Sequence, residues 1–243
     1  MRIDAEGVYY RELNDRIHQA LQEGAQELVL ENVRGQRYIG AGLNGGTRLV
    51  VNGIPGNDLA AFMNGAEIVV NGNGQDGVGN TMNAGRVVIH GDVGDVLGYS
   101  MRGGRIFVQR NAGYRTGIHM KEFGQYRPII VVGGRAMDYL GEYMAGGLLI
   151  VLGLDSGDSS PVGEYVGTGM HGGAIYIRGT VEPHQLGLEV GVDEIDDSAW
   201  REIGEVLSDY SRALGLGDLS LGPDEFVRLT PKTTRPYGQL YAY

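Results

Sequence analysis

Residues 78–91 read VGNTMNAGRVVIHG, and the same line recurs along the chain. Set beneath it, IGAGLNGGTRLVVNG (39–53), LAAFMNGAEIVVNG (59–72), LGYSMRGGRIFVQR (97–110), LGEYMAGGLLIVLG (140–153) and VGTGMHGGAIYIRG (166–179) follow nearly one formula. It runs apolar, Gly, two variable residues, Met, one variable residue, Gly or Ala, Gly, and then alternating apolar residues. The methionines are Met63, Met82, Met101, Met144 and Met170, with Leu43 in the first copy, at steps of 20, 19, 19, 43 and 26 residues. A step of 43 is close to two periods, so a degenerate copy is expected in between. EFGQYRPIIVVGG (122–134) supplies it, keeping the strand while losing the Met and the paired glycines. That makes seven copies, with ELVLEN (27–32) as an imperfect eighth. A fixed period of this length marks units that bury their apolar faces only by stacking on one another.

Two stacked architectures have a period near 20 with one short strand per unit. The leucine-rich repeat requires a Leu and Asn/Cys ladder, which is absent, so the reading is an all-β core built as a single-stranded parallel β-helix. In that fold each coil pairs in parallel with its neighbours at roughly 4.8 Å. Val87/Ile89, Ile106/Val108 and Ile175/Ile177 then point inward, because strand side chains alternate between faces. The repeat residues Gly79, Met82 and Gly85 recur as Gly98, Met101 and Gly104, as Gly141, Met144 and Gly147, and as Gly167, Met170 and Gly173. The glycines are read as corners that need positive φ or close backbone approach. The methionines are read as flexible core filler.

The flanks lack the repeat. Residues 10–23 place Tyr10, Leu13, Ile17, Ala20 and Leu21 on one helical face, stopped by Gly24. Residues 196–214 do the same with Trp200, Ile203, Leu207, Tyr210 and Leu214, with Asp197 or Ser198 as the N-cap. The expected division is an N-terminal helical cap over 1–24, the β-helix over 25–187, and a C-terminal helix with an extended arm over 188–243. A solenoid must cover its terminal strand edges, and flanking helices are expected to do so.

Composition narrows the function. Forty-three glycines in 243 residues, without a triplet period, fit a fold that repeatedly needs backbone without a Cβ. The formal net charge of −10, with no run of basic residues, argues against nucleic acid and anionic membranes as partners. No apolar run approaches a membrane span and the N-terminus lacks a signal-peptide core, so a cytoplasmic location is expected. The absence of cysteine removes disulfides, thiolate metal sites, cysteine-held iron–sulfur clusters and a cysteine nucleophile from this chain.

Individual motifs mostly dissolve into the repeat. Gly72, Gly74 and Gly77 spell Gly-x-Gly-x-x-Gly, but VGNTMNAG follows where a phosphate-binding turn must open a helix. Gly40, Gly42 and Gly45 match too, and a strand follows them. His18, His90, His119, His171 and His184 make no metal-ligand spacing. No Gly-x-Ser-x-Gly elbow or P-loop exists. LDSGDSSPVGE (154–164) matches no calcium loop and reads as a solvated insertion. RTGIHMKEFGQYR (115–127), where the repeat degenerates, gathers Arg115, His119, Lys121, Glu122 and Arg127; it reads as a polar loop covering an irregular coil, with a docking edge as the functional alternative.

The repeated Gly-x-x-Met-x-Gly-Gly, NVRGQRYIGAGLNG (32–45), EYMAGGLLIVLG and GTGMHGGAIYIRG together resemble the C-terminal β-helix domain of the glutamate synthase large (alpha) subunit, in its free-standing form. The β-helix is also similar to the C-type subunit of formylmethanofuran dehydrogenase. The resemblance spans roughly residues 25–187 and implies a right-handed parallel β-helix acting as a scaffold without catalytic residues of its own. It also implies that FMN and iron–sulfur clusters reside in partner subunits, a glutaminase-type amidotransferase and an FMN-containing synthase. Self-association of the isolated chain is allowed for. A stand-alone enzyme with a groove site on the solenoid is the reading of a different class.

Overall fold

Each motif copy contributes one short strand, because its alternating apolar residues can be buried only between the coils before and after it. The computed structural model describes residues 1–157 and 159–233. Its elements are β1 (Arg2–Asp4), α1 (Tyr10–Gln22), β2 (Glu27–Arg34), β3 (Arg48–Ile54), β4 (Asn64–Asn71), β5 (Ala84–Ile89), β6 (Arg105–Val108), β7 (Ile129–Val132), β8 (Ala145–Val151), β9 (Gly172–Arg178), β10 (Val190–Asp193), α2 (Asp197–Leu214) and β11 (Phe226–Pro231). One sheet holds all these strands in the order β1-β2-β3-β4-β5-β6-β7-β8-β9-β11-β10. Neighbours from β1 to β9 pair in parallel, one strand per coil, as a β-solenoid requires. The seven motif copies supply β3 to β9, and seven stacked strands bound six complete turns.

Register carries the core through the stack. Val87, Ile106, Ile130, Leu149 and Ile175 lie opposite one another in successive strands and fill the interior. Their neighbours Val88, Phe107, Val131, Ile150 and Tyr176 form a second apolar row on the outer face. That row explains where α2 goes. Its buried residues Ile203, Val206, Leu207, Tyr210 and Leu214 cover the outer row, so α2 lies along the side of the solenoid and not over a terminal strand edge. An apolar sheet face has more area to remove from water than one strand edge, and burial at roughly 25 cal/mol per Å² decides the position. The last edge is closed by strands. β11 pairs antiparallel with both β9 and β10, so part of the expected C-terminal arm joins the sheet. The remainder of that arm, residues 234–243, lies outside the described residues.

At the other end α1 buries Leu13, Ile17 and Ala20 in the interior core beside Leu28 and Leu30. β1 precedes it and extends the sheet. Buried Gln36 ties this segment down by donating to the carbonyls of Ala5 and Val8.

Caps define the ends of α2, and ion pairs tie it to the sheet. Asp196 caps it by accepting from the Ala199 amide at 2.8 Å, and Gly215 ends it at φ +67°. Glu202 pairs with Arg127. Asp209 pairs with both Arg86, at 3.3 Å, and Arg105. The two arginines are register partners on consecutive strands, so Asp209 separates like charges one coil apart. Asp209→Asn is expected to cost about 1–2 kcal/mol, with the loss shrinking in high salt, measured by urea unfolding at two ionic strengths. Equal losses in both would contradict the electrostatic account.

Tyr210 is fully buried; its hydroxyl donates to the Val108 carbonyl at 3.2 Å, and its ring meets Phe107 edge-on. Burial pushes its phenol well above the ordinary value of 10.0, and burial also raises Tyr176. A raised folded-state pKa means stability is intact below the unfolded value and lost as pH climbs beyond it. The folded chain is therefore expected to lose stability above about pH 10, and Tyr210→Phe should flatten that decline. An unchanged alkaline slope in the variant, read by unfolding at about pH 8 to 11, would count against it.

Candidate functional site

The corner that follows each coil's second wall is built on alternation. Positive φ occurs at Gly77, Gly79 and Thr81, then at Val96, Gly98 and Ser100, at Arg115, Gly117 and His119, at Tyr139, Gly141 and Tyr143, and at Tyr165, Gly167 and Gly169. In each of these corners the middle position is glycine because it faces inward. A Cβ at Gly79 would come within 2.3 Å of Ile106 Cδ1 in the next coil, at Gly98 within 2.3 Å of Ile130 Cδ1, and at Gly141 within 2.6 Å of Ile175 Cδ1. Gly167 faces Val190 in the same way.

The second glycine column interlocks with the methionines. A Cβ at Gly104 would meet Met82 Cε at 2.5 Å, and one at Gly173 would meet Met144 Cε at 2.4 Å. Met82, Met101, Met144 and Met170 are fully buried. Gly85 sits against backbone instead, where a Cβ would fall 2.3 Å from the Ala66 carbonyl oxygen.

The coil expected to lack its methionine has one. Met120 is fully buried, and a Cβ at Gly147 would meet its Cε at 2.8 Å. Gly117-Ile118-His119-Met120 is therefore the missing Gly-x-x-Met, and the irregularity is an insertion after the methionine, at Glu122–Arg127. Its strand neighbours are undisturbed because the extra residues leave the coil between corner and strand.

The outer positions of the corners carry the polar and aromatic side chains. Arg115 lies 4.7 Å from the centre of the Tyr139 ring and pairs with Glu142 at 3.1 Å. Tyr139 stacks on Tyr165 at 4.9 Å. His119 stacks on Tyr143 at 5.2 Å and meets Tyr99 edge-on. Arg115 and His119, on the same corner, thus belong to two side-by-side ladders, Arg115 below Tyr139 and Tyr165, and His119 between Tyr99 and Tyr143. Glu122 does different work, accepting from the Gly147 amide at 2.9 Å and so fixing the base of the insertion. Lys121 projects into solvent beside it. The structure therefore brings Arg115 and His119 together with tyrosines that the residue pattern had left unremarked. The signal was present, since Tyr139 and Tyr165 stand two residues before the corner glycine of their copies.

Other motifs fall where packing needs them. Gly72 follows β4 against the Gly53 carbonyl, Gly74 donates its amide to the Asp92 carbonyl, and a corner follows Gly77 where a phosphate-binding turn needs a helix. Within the 154–164 insertion, Ser156 is buried and accepts from Arg135 at 3.1 Å, so part of that loop is built into the wall. Among the described residues no His, Asp and Glu side chains converge in threes as metal ligands. No described helix is long and apolar enough to cross a membrane. A hollow of about 480 Å³ lies between α2 and the loop after it, away from the solenoid corners, with Arg212 and Asp218 as its charged lining.

Two comparisons bear on identity. A protein of Methanocaldococcus jannaschii described as the uncharacterized protein MJ1350 is 45% identical over 248 residues, covering 98% of this chain and 95% of that protein. The model of the GXGXG motif family matches residues 24–215, which include β2 to β9 and α2. The chain belongs to the GXGXG motif family, the family of the C-terminal domain of glutamate synthase alpha.

Proposed function

We propose that the chain is the non-catalytic β-helix subunit of a split glutamate synthase, or of a closely related amidotransferase-linked oxidoreductase. The observation that carries this reading is the use to which the repeated glycines and methionines are put. Gly79, Gly98 and Gly141 make room for the next coil's core, and Met82, Met120 and Met144 fill the space over the following glycines. The repeated glycines and methionines are committed to stacking, which leaves the exposed corners free to hold other polypeptides. In this reading a glutaminase-type amidotransferase releases ammonia from glutamine, and an FMN-containing synthase subunit with its iron–sulfur clusters reduces the aminated 2-oxoglutarate. This chain fixes their relative position. Sequestration of ammonia between two sites depends on such positioning.

The chain purified alone is expected to carry no flavin absorbance and to release no ammonia from glutamine. Adding it to the separately purified amidotransferase and synthase subunits is expected to restore glutamine-dependent glutamate formation. Flavin recovered in stoichiometric amount from the isolated chain, or coupling of the two enzymes without it, would overturn the reading.

A further inference from the structure

The insertion that breaks the repeat forms a small, well-rooted projection. Phe123 and Tyr126 exchange both backbone hydrogen bonds, at 3.0 Å each, around a turn in which Gly124 has φ +60°. The base is held on both sides, by Glu122 on the Gly147 amide and by Arg127 on Glu202 of α2. The tip is apolar and uncovered: Phe123 is 77% exposed and Tyr126 54%. Tyr126 also lies over Gly103, within 3.4 Å of where its Cβ would be, and so beside Arg102.

Two cations stand next to this tip. Arg102 and Lys121 occupy the same position of consecutive coils, each directly after its core methionine, and the Lys121 amide bonds the Met101 carbonyl. Both are exposed. Nearby on the sheet Arg86 is matched with Glu67 and Asp209, and Arg105 with Asp209, as Arg48 is with Glu27 and Glu67 further along. Among the described residues Arg102 and Lys121 have no carboxylate, although the chain as a whole carries a net charge of −10. Coils stacked at roughly 4.8 Å hold these like charges close together, so an arriving carboxylate gains from both.

We propose that Arg102, Lys121, Phe123 and Tyr126 form the docking point for an acidic segment of a partner polypeptide. Its carboxylates bridge the two cations, and an apolar side chain from it lies on the Phe123 and Tyr126 rings. Aromatic anchors bordered by a cation are the residue types that dominate interface energies, and a rooted hairpin loses little freedom on binding. Two cations on a strongly acidic surface suit a short acidic segment better than a nucleic acid, whose binding requires many phosphate contacts. This inference deepens the platform reading and rests on it for the existence of a partner subunit.

The chain has only two lysines, and the other, Lys232, donates to the Leu188 carbonyl at 3.1 Å. A carbodiimide, which joins an amine directly to a carboxylate in contact with it, therefore reads Lys121 almost alone. The complex isolated through the tagged full-length chain should yield Lys121 coupled to Asp or Glu of one segment in a co-purifying subunit. R102E and the double variant F123S/Y126S should each lower that coupling on the order of tenfold, while R110E, just past the far end of β6, should leave it unchanged. If the amidotransferase and synthase subunits co-purify but Lys121 couples to neither, the docking point is overturned and the platform reading stands. Coupling to an acidic segment of some other kind of subunit supports the docking point and overturns the glutamate synthase reading. Co-purifying nucleic acid released by R102E, without protein coupled to Lys121, overturns the proposal.

Discussion

Gly85→Ala is expected to destabilise the chain by about 2–5 kcal/mol, the largest loss from any single added methyl group in the corner series. Two costs combine. Gly85 has φ +102°, where a side chain is strained by about 1–2 kcal/mol. Its Cβ would also lie 2.3 Å from the Ala66 carbonyl oxygen and 2.9 Å from the Gly65 carbonyl carbon. Both atoms are backbone of the preceding coil, so relief requires one coil to move off another, with overpacking costs of about 1–3 kcal/mol. Gly42→Ala separates the contributions, because Gly42 has φ +67° but nothing within 4 Å of its Cβ position. It should lose only the conformational part, about 1 kcal/mol. Urea unfolding with an unchanged slope would measure both. Equal losses at the two positions would mean that contact between coils does not set the glycine pattern.

Tyr210→Ala should cost about 3–5 kcal/mol and release α2 from the sheet before the solenoid unfolds. The side chain fills the space between Phe107 and the chain at Gly133, where a Cβ on Gly133 would fall 2.3 Å from the Tyr210 hydroxyl. Its removal leaves a cavity and takes one of two donors from the Val108 carbonyl, which keeps the Gly133 amide at 2.9 Å. Amide exchange should show α2 losing protection while β3 to β9 keep theirs. Simultaneous loss in both would mean that helix and solenoid form one cooperative unit.

Much of this architecture could be read from the residues because a solenoid writes its structure once per coil. Met82, Met101 and Met144 at fixed positions, each followed by a Gly or Ala pair and alternating apolar residues, leave few folds open. What stayed hidden has local causes. Met120 escapes the motif because the insertion follows the methionine, and an inserted loop blurs the alignment on both sides. β1 spans Arg2–Asp4, too short for any period to register. The side-on position of α2 had a readable signal, since IIVV and LLIV are unbroken apolar runs and such runs mark burial on both faces. The full alternation of positive φ could not be read, because its outer positions hold Thr81, Val96, Arg115 and Tyr139, residues that do not announce a left-handed backbone. The tyrosine ladder was visible as a column but carried no meaning until Tyr139 and Tyr165 were found stacked on the surface.

In the proposed role these coils hold an enzyme together without catalysing its reaction. The most direct measurement is native mass spectrometry of the assembly isolated from its own cells through a tag on this chain. The predicted result is an assembly containing this chain, a glutaminase-type amidotransferase and a synthase subunit that carries all of the FMN. Recovery of the chain with neither subunit, or with a molybdopterin-bearing partner of the formylmethanofuran dehydrogenase kind in their place, would contradict it.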